Sequence, residues 1–272
     1  MDPGCGHYGR GISYRSLKGG TVSDVYLLEL AGRKYVVKGN TEAVIRSEVD
    51  FLHYYEDIHM VPELLYTDAL YQYIVYAFIE GEAEYRGGKK EVLQILVKQL
   101  INHYQPAKGN GWGWVDKPSD SWQDFQTKEV AYACPIIGSH LEDEVHAFIA
   151  NLSVHSTFKG SRYLLHGDCG MHNFIFSEGI LHGVIDPTPV IGDPVYDLIY
   201  AFCSSPEDLT KETVLEGFQL LRIGQAEEQE LFEQILIALY IRLETCLRHH
   251  PEDFREYINA FHYWHSVVKK KA

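Results

Sequence analysis

Residues 166–173 read His166-Gly167-Asp168-Cys169-Gly170-Met171-His172-Asn173, with a histidine, an aspartate and an asparagine at positions one, three and eight of one short run. An aspartate at the start of such a loop can accept a proton from an attacking hydroxyl, and an asparagine five residues on can turn back and offer a neutral oxygen to a magnesium ion. Thirteen residues past Asn173 comes Val184-Ile185-Asp186-Pro187, a carboxylate at the end of an apolar strand. A hairpin of that length returns Asp186 to the side of Asn173. Magnesium is a hard ion that takes oxygen ligands and phosphates, so one aspartate, one asparagine and the phosphates of a nucleotide satisfy it. Singly, each piece reads as a turn or a helix cap. Together, at this spacing, they point to phosphoryl transfer.

The loop has the spacing of the protein-kinase H-R-D-L-x-x-x-N motif. A second signal lies upstream. Glu48 falls on the apolar face of an expected helix, between Val44 and Leu52, and a buried carboxylate wants a cation. Lys38 ends the strand-like run Tyr35–Lys38 ten residues earlier. A strand lysine paired to a helix glutamate, reaching for the α- and β-phosphates, suits the same chemistry. Without the downstream loop these two would read as a solvated strand end and a half-exposed helix residue. Lys18-Gly19-Gly20-Thr21-Val22-Ser23 adds a third signal. Gly19 and Gly20 let backbone approach phosphate, and Thr21 and Ser23 carry hydroxyls, although Gly-Gly alone is also an ordinary turn. The run is neither G-x-G-x-x-G nor a G-K-[ST] loop, which excludes a Rossmann or Walker reading.

The elements that must position these residues are legible in outline. Thr21–Leu30 and Arg33–Lys38 predict a hairpin about Ala31-Gly32, and Leu70–Ile79 a third strand. Thr41–Asp57 has helical periodicity. Glu91–His103 reads as a helix, Pro106–Ser121 as a loop, and Ser139 with Glu142 as a capping box for the next helix. Short strands are expected near Phe174–Phe176 and Ile180–Ile185, turned at Glu178-Gly179. Glu227–Leu247 and Phe254–Val268 close the chain as helices. The boundary between a β-rich part, 1–80, and a helical part, 81–272, falls near Gly81. The 272 residues carry 24 Lys+Arg against 38 Asp+Glu, a formal charge of −14. That balance argues against nucleic acid and anionic membrane as partners and mildly favours a cationic small molecule. No apolar run approaches the roughly 20 residues of a membrane span. Five scattered cysteines without C-x-x-C fit a reduced, cytoplasmic setting and make zinc an unsuitable expectation.

In order, Lys18–Ser23, Lys38, Glu48, Tyr76–Gly81, His166–Asn173, Asp186 and Gly192-Asp193-Pro194-Val195-Tyr196-Asp197-Leu198 resemble the aminoglycoside phosphotransferase family. That family also covers choline-, homoserine- and fructosamine-kinase-like enzymes. The resemblance is specific at H-G-D-x-x-x-x-N and at I-D-P…G-D-P-x-Y-D-L. Ile185–Leu198 is most similar to streptomycin-type antibiotic kinases, and Gly111–Trp114 with Ser121–Phe125 is more distantly similar to hygromycin-type ones. The resemblance implies an α+β, bilobal protein-kinase-like fold with a small β-rich N-lobe and a larger, mostly helical C-lobe. It implies Asp168 as catalytic base, Asn173 and Asp186 as magnesium ligands, and Lys38 on the phosphates, oriented by Glu48. It implies Ala77, Phe78 and Ile79 as a hinge facing the purine, and His166 as a structural pin. Asp193 and Asp197 would brace the loop or the helix after it. The acceptor site would be lined by C-lobe helices, with Glu244 and Asp143 as acidic candidates and Trp112, Trp114 and Trp122 either lining it or packing their own loop.

Two departures matter. Pro187-Thr188 follows Asp186 where a regulated protein kinase has Phe-Gly, and Gly167 stands where such a kinase has arginine. Both suit a constitutively active small-molecule kinase. The expectation is a magnesium-dependent enzyme that moves the γ-phosphoryl of ATP, or GTP, to a hydroxyl of a small molecule, an aminoglycoside-type antibiotic among the candidates; such an acceptor would make the protein a resistance factor. The alternatives are three. One is a metabolite kinase with a choline-, homoserine- or sugar-like acceptor. The second is a metal-dependent phosphohydrolase built on His166, Asp168, His172 and Asp186. The third is a nucleotide-binding scaffold without catalysis.

Overall fold

The computed structural model describes residues 5–7, 12–17, 23–84, 87–155, 161–224 and 226–270. They form two compact units. One contains the described residues up to Glu84 together with Asn173–Pro189, and the other contains Gly87–His172 together with the chain from Val190 onward. Sequence reading divided the chain once, near Gly81. By backbone packing, the segment Asn173–Pro189 clusters with the N-terminal residues, so the first unit is discontinuous in sequence.

The first unit is built on a six-stranded sheet of strands β1 (Cys5–His7), β2 (Ile12–Ser16), β3 (Asp24–Leu30), β4 (Arg33–Gly39), β5 (Leu64–Thr67) and β6 (Tyr73–Ala77). The strand order is β1-β2-β3-β4-β6-β5, and neighbours run antiparallel. The β3–β4 turn falls at Ala31-Gly32, both with positive φ (51° and 78°), the two-residue geometry that matches strand twist. Between β4 and β5 lies helix α1 (Glu42–Tyr54). Ile45, Glu48, Val49 and Leu52 recur at three- and four-residue spacing on its buried face.

The second unit opens with helix α2 (Lys89–Gln99), then the short strand β7 (Gly113–Trp114), helices α3 (Trp122–Ile137) and α4 (Asp143–His155), and strand β8 (Tyr163–Leu165). The chain then returns to the first unit through the hairpin of β9 (Phe174–Ser177) and β10 (Ile180–Val184), turned at Glu178-Gly179 with φ of 52° and 76°. Strand β11 (Val190–Gly192) pairs with β7 and β8. Helices α5 (Val195–Cys203), α6 (Lys211–Phe218), α7 (Glu228–His249) and α8 (Phe254–Lys269) complete the unit. Helix α7 starts on a capping box of Glu227 and Glu230 and buries Leu231, Phe232, Ile235 and Leu239 at no measurable exposure. No helix among the described residues is long and apolar enough to cross a membrane.

Several elements differ from the sequence expectation. The expected third strand, Leu70–Ile79, is the shorter β6, because the Asp68 carboxylate accepts the amides of Leu70 and Gln72 and turns the chain before it; β5, on the other side of that turn, was not expected. Residues 122–137 form a helix where only a loop leading up to Ser121 had been read. Ser121 caps it by accepting the Asp124 amide at 3.0 Å, and Pro135 sits inside it near its end. Ser139 lies in a 3-10 turn, and the α4 amides of Val145 and His146 bond to the Glu142 carbonyl, so the helix starts after Glu142 without the expected box.

Candidate active site

In the first unit, residue alternation along β4 puts Val36 and Lys38 on one buried face. The Lys38 ammonium, 2% exposed, lies 2.6 Å from Glu48 Oε2 on α1 and also bonds Asp186 Oδ1. Burial opposes charge on Lys38, but the two carboxylates outweigh it and raise its pKa. Burial pushes the Glu48 carboxyl up to about 7, against the pull of Lys38. The ion pair holds because both partners are hydrogen-bonded and a second carboxylate supports the lysine.

Asp186 follows β10 with φ of 61°, in the left-handed region that aspartate tolerates better than most residues. Its side chain is 41% exposed. Asn173 is buried, and its carbonyl accepts the Ile185 amide at 2.9 Å, which ties the start of the hairpin to its end. The hairpin thus brings Asn173 and Asp186 to one end of its ladder, as their spacing required. An aspartate and an asparagine are hard oxygen donors, the kind magnesium takes. The expected hinge is partly committed: the Ala77 amide donates to the Glu63 carbonyl and the Phe78 amide to the Lys34 carbonyl. The Ile79 side chain packs over Gly183, where a Cβ would come within 2.7 Å of it. Ser23 accepts a hydrogen bond from Asn40 at 2.7 Å. Gly19, Gly20 and Thr21 lie outside the described residues.

In the second unit the loop before Asn173 hangs on one carboxylate. Asp197 of α5, fully buried, accepts the amides of His166 (2.9 Å) and Gly167 (3.0 Å) and the hydroxyl of Tyr104 (2.5 Å). Burial raises its pKa to about 6, against these donors. Gly167 has φ of 81°, a conformation that would strain an arginine there. The Asp168 amide points to His166 Nδ1 at 3.3 Å, so that nitrogen is the acceptor and the ring proton sits on Nε2. The Met171 amide donates to Ser204 Oγ. Burial works against the charged Asp168 carboxyl, but hydrogen bonds from His172 and Tyr200 outweigh it and the net shift is downward. The Asp168 carboxyl is therefore ionised at neutral pH. His172 Nε2 lies 3.5 Å from it. Asp193 accepts the amides of Val195 at the start of α5 and of Ser161.

The same unit has a partly open pocket of about 260 Å³ between α3, α5 and α7. Trp114 and Trp122 line it, and Trp112 instead packs on Trp122 and Arg162. Glu244 lines it, whereas Asp143 is exposed at the start of α4 and is not part of its wall. Sequence reading missed Tyr104, Tyr200 and Glu129. Tyr200 follows Asp197 by three residues, one helical turn, which is the signal that could have found it; Tyr104 and Glu129 arrive by tertiary packing alone.

The solved structure of aminoglycoside phosphotransferase APH(2'')-Ib with ADP bound is similar at 17% identity over 93% of both chains, with a TM-score of 0.61. Choline kinase LicA from Streptococcus pneumoniae is similar at 14% identity over 96% of this chain and 95% of that one, with a TM-score of 0.62. A ternary complex of APH(2'')-IIa with streptomycin and ATP is similar at 19% identity over 93% and 90%, with a TM-score of 0.60. A search of curated proteins finds no match. The α+β fold, with a β-sheet N-terminal region and a helical C-terminal region, is that of protein-kinase-like enzymes. The model of the phosphotransferase enzyme family matches residues 13–231, and the chain belongs to that family.

Proposed function

We propose that the protein is a magnesium-dependent kinase that transfers the γ-phosphoryl of ATP, or GTP, to a hydroxyl of a small molecule. The observation that carries this reading is the buried Lys38 held between Glu48 and Asp186. A lysine so placed is preorganised for phosphate oxygens, and Asp186 keeps a second carboxylate oxygen for a metal. Asn173 and Asp186 are the residues that would hold the ion, which when bound would offset charge on the β- and γ-phosphates. Asp168 takes the hydroxyl proton. His166, Asp197 and Tyr104 hold the base's loop, and the Ala77–Ile79 backbone borders the purine. The ATP and ADP in solved relatives support the choice of nucleotide for this chain.

The phosphohydrolase reading has less support. Among the described residues no group of three or more His, Cys, Asp or Glu side chains is gathered to cage a metal. The His166 ring is buried and its Nδ1 faces the Asp168 amide. The test is a panel of hydroxyl acceptors incubated with ATP and magnesium and followed by mass spectrometry. A phosphate-sized mass gain on an acceptor, with stoichiometric ADP, is the expected result; phosphate release from simple esters without nucleotide would overturn it.

A further inference from the structure

The helix that carries Asp197 also holds the far end of the loop. Helix α5 is short and nearly every residue in it is buried. The last carbonyls of a helix lack partners inside it and must find them elsewhere. Here they find them on three other helices of the second unit. Lys89 of α2, 5% exposed, donates to the Phe202 carbonyl at 2.9 Å and to the Ser205 carbonyl at 2.8 Å. The Tyr257 hydroxyl of α8 donates to the Cys203 carbonyl at 2.9 Å, and Arg242 of α7 to the Ser204 carbonyl at 3.3 Å. Two cations at a helix C-terminus also suit its dipole. This end of α5 is therefore anchored from several sides.

Ser204 turns that anchor toward the loop. Its hydroxyl donates to the Ala201 carbonyl at 2.8 Å, so its only proton is committed, and its oxygen accepts the Met171 amide at 3.1 Å. The helix end does not need this hydroxyl, because the Ser204 amide already bonds the Ala201 carbonyl and the lysine, tyrosine and arginine serve the others. Met171 opens the 3-10 turn Met171–Asn173. Asp197, which accepts the amides of His166 and Gly167, precedes Ser204 by seven residues. That is two helical turns, about 10 Å, along the same face of α5. One helix face thus grips the loop at both ends, with Asp168 between the grips.

We infer, resting on the kinase reading, that Ser204 is a positioning residue for the metal side of the site. Through the Met171 amide it fixes the turn that presents Asn173, whereas Asp197 fixes the side of the base. Ser204 acts through the turn and not on the substrate.

The test compares Ser204→Ala and Ser204→Thr with the wild type by two measurements. The first is amide hydrogen exchange of the free protein, read residue by residue. The Met171 amide is protected in the wild type, exchanges about tenfold faster in Ser204→Ala and regains its protection in Ser204→Thr, which restores the acceptor oxygen. The His166 and Gly167 amides exchange alike in all three proteins. The second is calorimetry of ATP with and without magnesium. The gain in affinity that magnesium brings falls about tenfold in Ser204→Ala and returns in Ser204→Thr, while ATP alone binds all three equally. An unprotected Met171 amide in the wild type would overturn the inference even if a variant failed to fold. So would a rise in exchange shared by His166 and Gly167, or an undiminished magnesium gain in Ser204→Ala, and either would leave the kinase reading standing. Absence of any magnesium gain in the wild type would overturn the kinase reading and the role of Ser204 with it.

Discussion

Glu48 and Asp197 are both buried carboxylates, and the two units accommodate them by different chemistry. Glu48, in the first unit, is met by a cation, Lys38, at 2.6 Å, and that cation is shared with Asp186. Asp197, in the second, is met by two backbone amides and a tyrosine hydroxyl. A carboxylate satisfied by fixed backbone donors is a clamp, and what it clamps is the His166–Asp168 loop. A carboxylate satisfied by a lysine side chain keeps a buried ammonium charged and in place, held here between Glu48 and Asp186. On the proposed reading, the Asp197 arrangement would hold the loop of the base still and the Lys38 arrangement would present charge to a phosphate.

The comparison can be broken from either side. Asp168→Ala leaves the Glu48–Lys38 pair and the Asp197 clamp intact and removes only the proposed base, so nucleotide affinity is retained while turnover falls about 10³-fold or more. Steady-state kinetics beside nucleotide calorimetry checks this, and near-normal turnover would remove Asp168 from its role. Lys38→Met strands Glu48 without its cation and is expected to cost about 3–5 kcal/mol in urea unfolding, since a buried charge is left unpaired. The double variant with Glu48→Gln recovers part of that loss. An additive double variant would mean that the pair is not coupled.

Asp197→Asn is the smaller change, about 1–3 kcal/mol, because the amide's NH₂ faces amide donors that the carboxylate accepted. It also sharpens the pH behaviour. The folded-state pKa of Asp197 is about 6, above its ordinary 3.8, so the native state holds that proton more tightly than the unfolded chain does. Its contribution to stability is complete below the unfolded value and is lost as pH rises through about 6. Glu48 acts in the same direction up to about 7. Unfolding curves from pH 4 to 7 should therefore decline less steeply for Asp197→Asn than for the wild type, and parallel curves would deny the shift.

Much of the site was legible because it is local. The Asn173–Asp186 spacing needed only a hairpin, and Glu178-Gly179 supplied its turn. Glu48 stood out as a carboxylate at an apolar helical position, and Lys38 as the end of a strand facing that helix. Other parts were hidden for physical reasons. Pro135 and the Gly- and Trp-rich stretch before Ser121 masked α3, and with it the wall that carries Trp122 and Glu129. The turn held by Asp68 shortened the expected strand Leu70–Ile79 to Tyr73–Ala77, and β5 before it carried no pattern that was read. Tyr104 reaches Asp197 across 93 residues, a meeting that no local pattern announces. The sequence boundary near Gly81 likewise assumed that a unit is continuous, whereas the segment Asn173–Pro189 clusters with the N-terminal residues.

Calorimetry of ATP binding with and without magnesium, on the wild type and on Asp186→Ala, tests the central assignment most directly. The account predicts that magnesium strengthens ATP binding to the wild type and that this gain disappears in Asp186→Ala. An Asp186→Ala protein that binds magnesium-ATP as tightly as the wild type would contradict it.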